Sequence, residues 1–255
     1  MRYNIILLLA MCFLIIISSC NTESKESSTI NVAYKGALKN IMHKGDISAK
    51  ADLQDFQNGA NLYALGAIEN LKGEIQIFDS QPFNTEVIDN TMVIDSTFSK
   101  KATLLVYASV SHWNTTNIPD KIVTYDDLEN YILQVANHNQ IVTDEPFPFI
   151  IEGEPKSFNW HIINWNDGDK EHSHEKHISS GLHGTSNNKE VQMLGFYSDS
   201  HHAIFTHHTT NMHIHVKTKD EKIAGHVDDL ILGKGMTLKL PHVKLIRSKK
   251  ANPND

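Results

Sequence analysis

The sequence predicts a β-rich α/β (α+β) domain with few helices. Three observations carry this expectation. Short runs rich in β-branched and aromatic residues recur along the chain, bounded by turn residues. One segment, Thr124–Asn137, stands out as a helix. Residues 213–216 read His-Ile-His-Val, the two-residue period of a strand.

The N-terminus is read as lying outside the fold. Arg2 precedes an apolar run, Ile5–Ile17, that ends in Ser18-Ser19-Cys20. The run is too short for a membrane span of roughly 20 residues and has the pattern of a secretory signal. Small residues followed by cysteine resemble a bacterial lipobox. Residues 1–20 are therefore expected to be a lipoprotein signal peptide, Cys20 the lipidated residue, and the chain lipid-anchored to the cell envelope. Residues 21–29, polar and charged, read as a tether. The other cysteine, Cys12, lies in the signal. The domain thus has no disulfide, no thiolate ligand and no thiol nucleophile, and its stability must come from a core. A formal net charge of −7 with dispersed lysines argues against a nucleic-acid partner.

The domain is expected over residues 30–247, followed by a tail, 248–255. Thr29–Tyr34 reads as a strand, Ala37–His43 as a short helix stopped by Gly45, and Leu53–Tyr63 as one or two helical turns. Gly73–Phe78, Glu86–Ile94 and Thr103–Val110 read as strands, with a turn at Asp79–Pro82. In the helix at 124–137, Thr124 is the N-cap, Asp126 and Asp127 occupy the first turn, and Leu128, Tyr131, Ile132 and Val135 form an apolar face. Phe147–Ile151 and Ser157–Ile163 flank a turn at Glu152–Pro155. Asn164–Asn188 reads as a long polar loop whose histidines 172, 174, 177 and 183 are solvated. Glu190–Tyr197, Ala203–Thr206, Asn211–Lys217, Ile223–Leu230 and Met236–Leu240 complete a β-rich second half.

The candidate site lies in that half. His213 and His215 share one face of a strand. Thr218–Lys222 makes a turn, and the returning strand can bring His226 opposite them. Three imidazoles from one hairpin form a three-ligand site for a divalent metal with an open position, the arrangement of catalytic zinc. Such a set also accepts copper, nickel or iron. The chain holds 16 histidines, so a solitary His-x-His would carry little weight. The third histidine at hairpin spacing gives the pattern its force.

The order of these segments resembles the α-acetolactate decarboxylase family. His213-Ile-His215, a polar turn, and Ala224-Gly225-His226-Val227-Asp228-Asp229 match that family's metal hairpin. Leu65–Glu74 partly fits its G-x-G-T-F-x-x-L-D-G-E element. Tyr125–Leu133, Ile151-Glu152-Gly153 and Leu194-Gly195-Phe196-Tyr197 follow in the family's order. The resemblance implies two β-rich mixed-sheet halves, about 30–145 and 146–247, and zinc on His213, His215 and His226. It implies conversion of 2-acetolactate to acetoin and carbon dioxide, and a tendency to dimerise. Glu74 falls on the family glutamate near the metal and is the candidate for proton handling. The chain departs from the pattern elsewhere. His161 stands where the family has an arginine, Ala67 where it has a threonine, and a glutamate near the family's C-terminus has no counterpart. Histidine donates hydrogen bonds but lacks the planar fork that clamps a carboxylate. The alternatives are a different metal-dependent reaction on the same scaffold, or a metal-binding lipoprotein without activity.

Overall fold

The computed structural model describes residues 30–243. The signal, the tether, Cys20 and the tail lie outside them. The chain forms strands Val32–Lys35 (β1), Ala51–Asp52 (β2), Leu62–Ile68 (β3), Gly73–Phe78 (β4), Gln81–Pro82 (β5), Asn84–Ile88 (β6), Thr91–Asp95 (β7), Lys101–Ser109 (β8) and Trp113–Asn117 (β9). It continues with Phe147–Gly153 (β10), Ser157–Ile162 (β11), Leu182–Asn187 (β12), Val191–Tyr197 (β13), Met212–Thr218 (β14), Ala224–Ile231 (β15) and Thr237–Pro241 (β16). The α-helices are Leu38–Lys44 (α1), Tyr125–His138 (α2) and His174–Ser179 (α3).

Two eight-stranded sheets result. The first runs β1-β8-β3-β4-β6-β7, with β2 on β8 and β5 on β4. The second runs β12-β11-β15-β14-β13-β10-β16-β9. The two β-rich halves are present, and every ladder between named strands is antiparallel rather than mixed. Sheet membership changes between β8 and β9, ahead of residue 145, because β9 closes the second sheet beside β16.

Strand alternation sorts side chains into layers. In β13, Leu194 and Phe196 point toward the first sheet and join Leu65, Ala67, Leu104 and Val106 in a shared apolar layer. Met193 and Tyr197 point the other way, with Ile214 and Val216 of β14, onto Leu128, Ile132 and Val135 of α2. The outer face of the first sheet buries Leu62, Ala64, Ile75, Ile77 and Leu105 around Leu53. The period of two therefore places His213 and His215 in the layer between the sheets.

The helix at 124–137 forms as expected. Thr124 accepts from the Asp127 backbone N–H, and Asp127 accepts from that of Thr124, a reciprocal capping box. The short first helix ends at Gly45, whose φ of 60° is left-handed. Four expectations are corrected. Glu86–Ile94 is two strands, β6 and β7, because Asp89 and Asn90 adopt φ of 48° and 59° and close a tight hairpin. Leu53–Tyr63 holds only a 3-10 turn, Leu53–Phe56, before β3 begins. β3 is buried on both faces, so its unbroken apolar run hid the strand period. Ala203–Thr206 is a turn, not a strand. Its Ala203 and Ile204 carbonyls accept from the Lys39 and Leu38 N–H groups at 2.7 and 2.8 Å, which caps α1. Asn164–Asn188 is not one loop, since α3 and β12 form within it. Ser173 caps α3 by accepting from the Lys176 N–H, and β12 pairs with β11.

Gly225 sets the approach of β15 to β11. A Cβ there would stand 2.5 Å from the His161 carbonyl oxygen. Gly225→Ala is expected to destabilise the protein by about 1–3 kcal/mol through overpacking, measured by urea unfolding.

Candidate metal centre

The hairpin β14–β15 closes as the sequence suggested. The Thr218 N–H donates to the Ile223 carbonyl at 2.9 Å, and His215 pairs across the ladder with His226. All three hairpin histidines are buried. His213 Nε2 lies 3.2 Å from His215 Nε2 and 3.2 Å from His226 Nδ1. Ligand nitrogens on a tetrahedral zinc, with Zn–N near 2.0–2.1 Å, sit roughly 3.4 Å apart. The nitrogens thus already stand near metal-ligand spacing. Burial, reinforced by neighbouring imidazoles, holds His213 and His226 well below the ordinary 6.5 and His215 at about 3. Each is neutral and offers a lone pair, as a metal requires. The donor set fits a divalent transition metal, which these three residues would hold.

Strand β4 supplies the opposite wall. Glu74 and Gln76 alternate with Ile75 and Ile77, so both polar side chains face the second sheet. Gln76 donates its Nε2 to the Phe83 carbonyl, which leaves Oε1 to accept from His215 Nδ1 at 3.0 Å. That bond places the His215 proton on Nδ1 and frees Nε2 for a metal. Glu74 Oε1 accepts from the Ile163 N–H at 3.1 Å. Its Oε2 lies 3.8 Å from His215 Nε2. Burial pushes the Glu74 carboxyl up to about 7, with His161 and the Ile163 N–H opposing and Asp228 adding to the rise.

His161, on β11, stands beside this carboxyl. Its Nε2 is 3.9 Å from Glu74 Oε1. Its Nδ1 is 2.9 Å from both oxygens of Asp228 and donates to that carboxylate. Burial opposes its charge, but the Asp228 hydrogen bond and the two carboxylates prevail and hold His161 above its ordinary value. Asp228 Oδ1 also lies 3.9 Å from His226 Nε2, so one carboxylate stands between His161 and a candidate ligand.

All five expected side chains, Glu74, His161, His213, His215 and His226, converge in one buried cluster. Glu74, His161, His213 and His226 line a chamber of about 60 Å³, as does Ala67 at the position the resemblance gives to threonine. Sequence reasoning missed Gln76 and Asp228. Each lies two residues from an expected site residue on the same strand, so alternation is the signal that points to them. Of the adjacent His207-His208 pair, His207 enters the chamber wall, its ring 5.6 Å from that of His226. His208 is exposed. The expected solvation holds for His174 and His183, which are exposed. His177 is instead buried, with Nε2 3.0 Å from His172 Nδ1. It is drawn in because α3 packs its ring against Trp165.

Two facing antiparallel sheets with a three-histidine cluster between them define a candidate metalloprotein of the β-rich α+β class. Residues 33–251 match the model of the family described as Alpha-acetolactate decarboxylase, and the chain belongs to that family. Three solved structures share the fold at low identity. Acetolactate decarboxylase from Bacillus subtilis subspecies spizizenii has a TM-score of 0.66 at 13% identity, over 84% of this chain and 86% of that one. The enzyme from Bacillus subtilis strain 168 has a TM-score of 0.65 at 13% identity, over 87% and 94%. A Staphylococcus aureus protein of unknown function, described as similar to the decarboxylase, gives 0.63 at 14%, over 82% and 84%. No curated protein matches the chain.

Two outcomes are expected from this geometry. His177, His207 and His215 are held by burial at about 3, 4 and 3, against an ordinary 6.5. Below 6.5 the unfolded chain binds more protons than the folded one at these histidines and at His213 and His226, which together outweigh the opposite effect of the raised Glu74 and His161. Stability of the metal-free protein is therefore full above that value and is lost progressively as pH falls below it. Urea unfolding in chelator at about pH 7 and about pH 5 checks this, the lower value giving the lower midpoint. Asp228→Ala should lower the His161 pKa, read by NMR titration of the metal-free protein, because the hydrogen bond to the imidazolium is gone.

Proposed function

We propose that this chain is a metal-dependent decarboxylase acting on 2-acetolactate or a related 2-hydroxy-3-keto acid, releasing carbon dioxide and, from acetolactate, acetoin. The observation that carries the reading is the cluster of three neutral imidazole nitrogens with Glu74 and His161 buried beside it. Membership of the decarboxylase family supports it.

When bound, zinc or another divalent transition metal supplies Lewis acidity toward the substrate's hydroxyl and keto oxygens. The protein's own groups do the rest. In the reaction the bond between the carboxylate and C2 breaks, and its electron pair stays with the hydroxy-keto carbons. A proton must then return to carbon. Glu74, with a carboxyl near neutrality, can hold that proton close to the candidate ligands. His161 can exchange it with Glu74 through Nε2 while Asp228 fixes its Nδ1–H. The imidazole also offers the substrate carboxylate a hydrogen-bond donor, in the place of the family arginine. The apolar layer around the chamber excludes water, which strengthens each of these contacts.

A second reading is a different metal-dependent reaction on the same scaffold. The His161–Asp228 pair favours it, because a carboxylate-held imidazole is a general arrangement for proton abstraction. Lipidation at Cys20 and anchoring to the bacterial envelope belong to the proposal as well, resting on Ser18-Ser19-Cys20 after the apolar run. So does homodimer formation, which rests on the family resemblance. The partner expected is a small hydroxy-keto acid and not a nucleic acid.

The full chain, purified in detergent, should carry about one equivalent of metal and release acetoin from racemic acetolactate. Chelation should abolish the activity and zinc should restore it. His213→Ala should lose the metal. Glu74→Gln should keep the metal and lose roughly 10²–10⁴-fold in kcat. Bound metal without acetoin overturns the decarboxylase reading. Acetoin formed only by His161→Arg assigns the second one.

A further inference from the structure

The 60 Å³ chamber does not stand alone. It shares Leu38, His174, His177, His207 and His226 with a neighbouring cavity of about 630 Å³. The five residues line both spaces, so the two are compartments of one site. Their sizes differ tenfold. The larger lies well inside the range of roughly 300–1,000 Å³ typical for pockets that enclose drug-sized ligands. A five-carbon acid whose reacting groups occupy the inner chamber leaves it nearly unfilled.

The walls of the outer cavity indicate what fills it. Leu38 and Met42 of α1, Met212 and Val227 of the metal hairpin, Ala203 and Tyr125 supply apolar surface to its lining. Met212, Val227 and Ala203 are buried. Of the charged lining residues, Lys39, Asp126 and Asp229 are exposed, and Asp228 is half-buried and held by His161. An apolar lining behind a polar rim takes an apolar group. His226 fixes the order of the compartments, since it lines both and is also a candidate ligand.

We propose that the inner chamber takes the hydroxy-keto carboxylate head and the outer cavity takes an apolar alkyl or aryl substituent much larger than methyl. The substrate class is then a bulky 2-hydroxy-3-keto acid rather than acetolactate itself. This inference rests on the metal-site reading of the proposed function, but not on decarboxylation. The outer cavity acts through binding and adds no chemical step.

The test is calorimetric titration of the zinc-loaded full chain with 2-hydroxy acids, from lactate through 2-hydroxybutanoate and 2-hydroxyhexanoate to 2-hydroxyoctanoate. Affinity is expected to rise about three- to fourfold for each added methylene, the effect of burying it. Met42, half-buried on α1, lines the cavity, and Met42→Trp should narrow it and flatten the series. A series that is flat in the native protein overturns the proposal. So does a slope that survives Met42→Trp, because the added methylenes then bind elsewhere. Absence of binding by every acid overturns it too. The acetolactate assay is read separately: no acetoin together with a Met42-sensitive slope removes the decarboxylation and keeps the cavity assignment.

Discussion

The structure depends on the burial of a polar layer between two apolar ones. β4, β14 and β15 each alternate, and each turns its polar positions inward to the space between the sheets. Glu74, Gln76, His213, His215 and His226 therefore sit where leucine and phenylalanine occupy neighbouring strands. Leaving such groups unpaired costs about 1–3 kcal/mol each. They are held by one another: Gln76 by Phe83 and His215, Glu74 by the Ile163 N–H, His161 by Asp228. The three nitrogens left facing each other at 3.2 Å lack any donor that suits all of them. A cation would satisfy them together, so the candidate metal centre and the packing of the sheets are one problem.

Much of this was legible in the sequence because strand alternation is a local rule. The His213–His226 hairpin needed only a period of two and a turn of known composition, and Glu74 and His161 came from the family resemblance. The same rule reached less far where both faces of a strand are buried. β3 has no polar positions to mark its period, so its identity as a strand was hidden. The segment 164–188 misled for the opposite reason. Its polarity suggested solvent on all sides, yet Trp165 gives His172 and His177 a surface to pack on. Gln76 and Asp228 lay within reach of the alternation argument. Their partners did not, because His215 and Gln76 meet across 139 residues of sequence.

The departures from the family pattern form a set. A histidine in the place of an arginine gives up a permanent charge. Here Asp228 restores much of that charge by accepting from His161 Nδ1, and Glu74 adds to it from the other side. The cation becomes conditional on its neighbours' protonation, which an arginine never is. Ala67 opens space beside the same groups. His161 and Ala67 both line the chamber, while the three histidines of the hairpin keep their spacing.

The tie between α1 and the turn at 203–204 has a consequence for the order of assembly. The helix lies near the beginning of the ordered domain, and the carbonyls that cap it come from far along the chain. A polypeptide emerging N-terminus first makes the β4 wall early, but leaves α1 without its cap until residues 203–204 are made, and leaves Glu74 and Gln76 without their histidine neighbours until β14 follows. The three histidines therefore meet their full set of neighbours only late in assembly, and any cation they take would close that process rather than seed it.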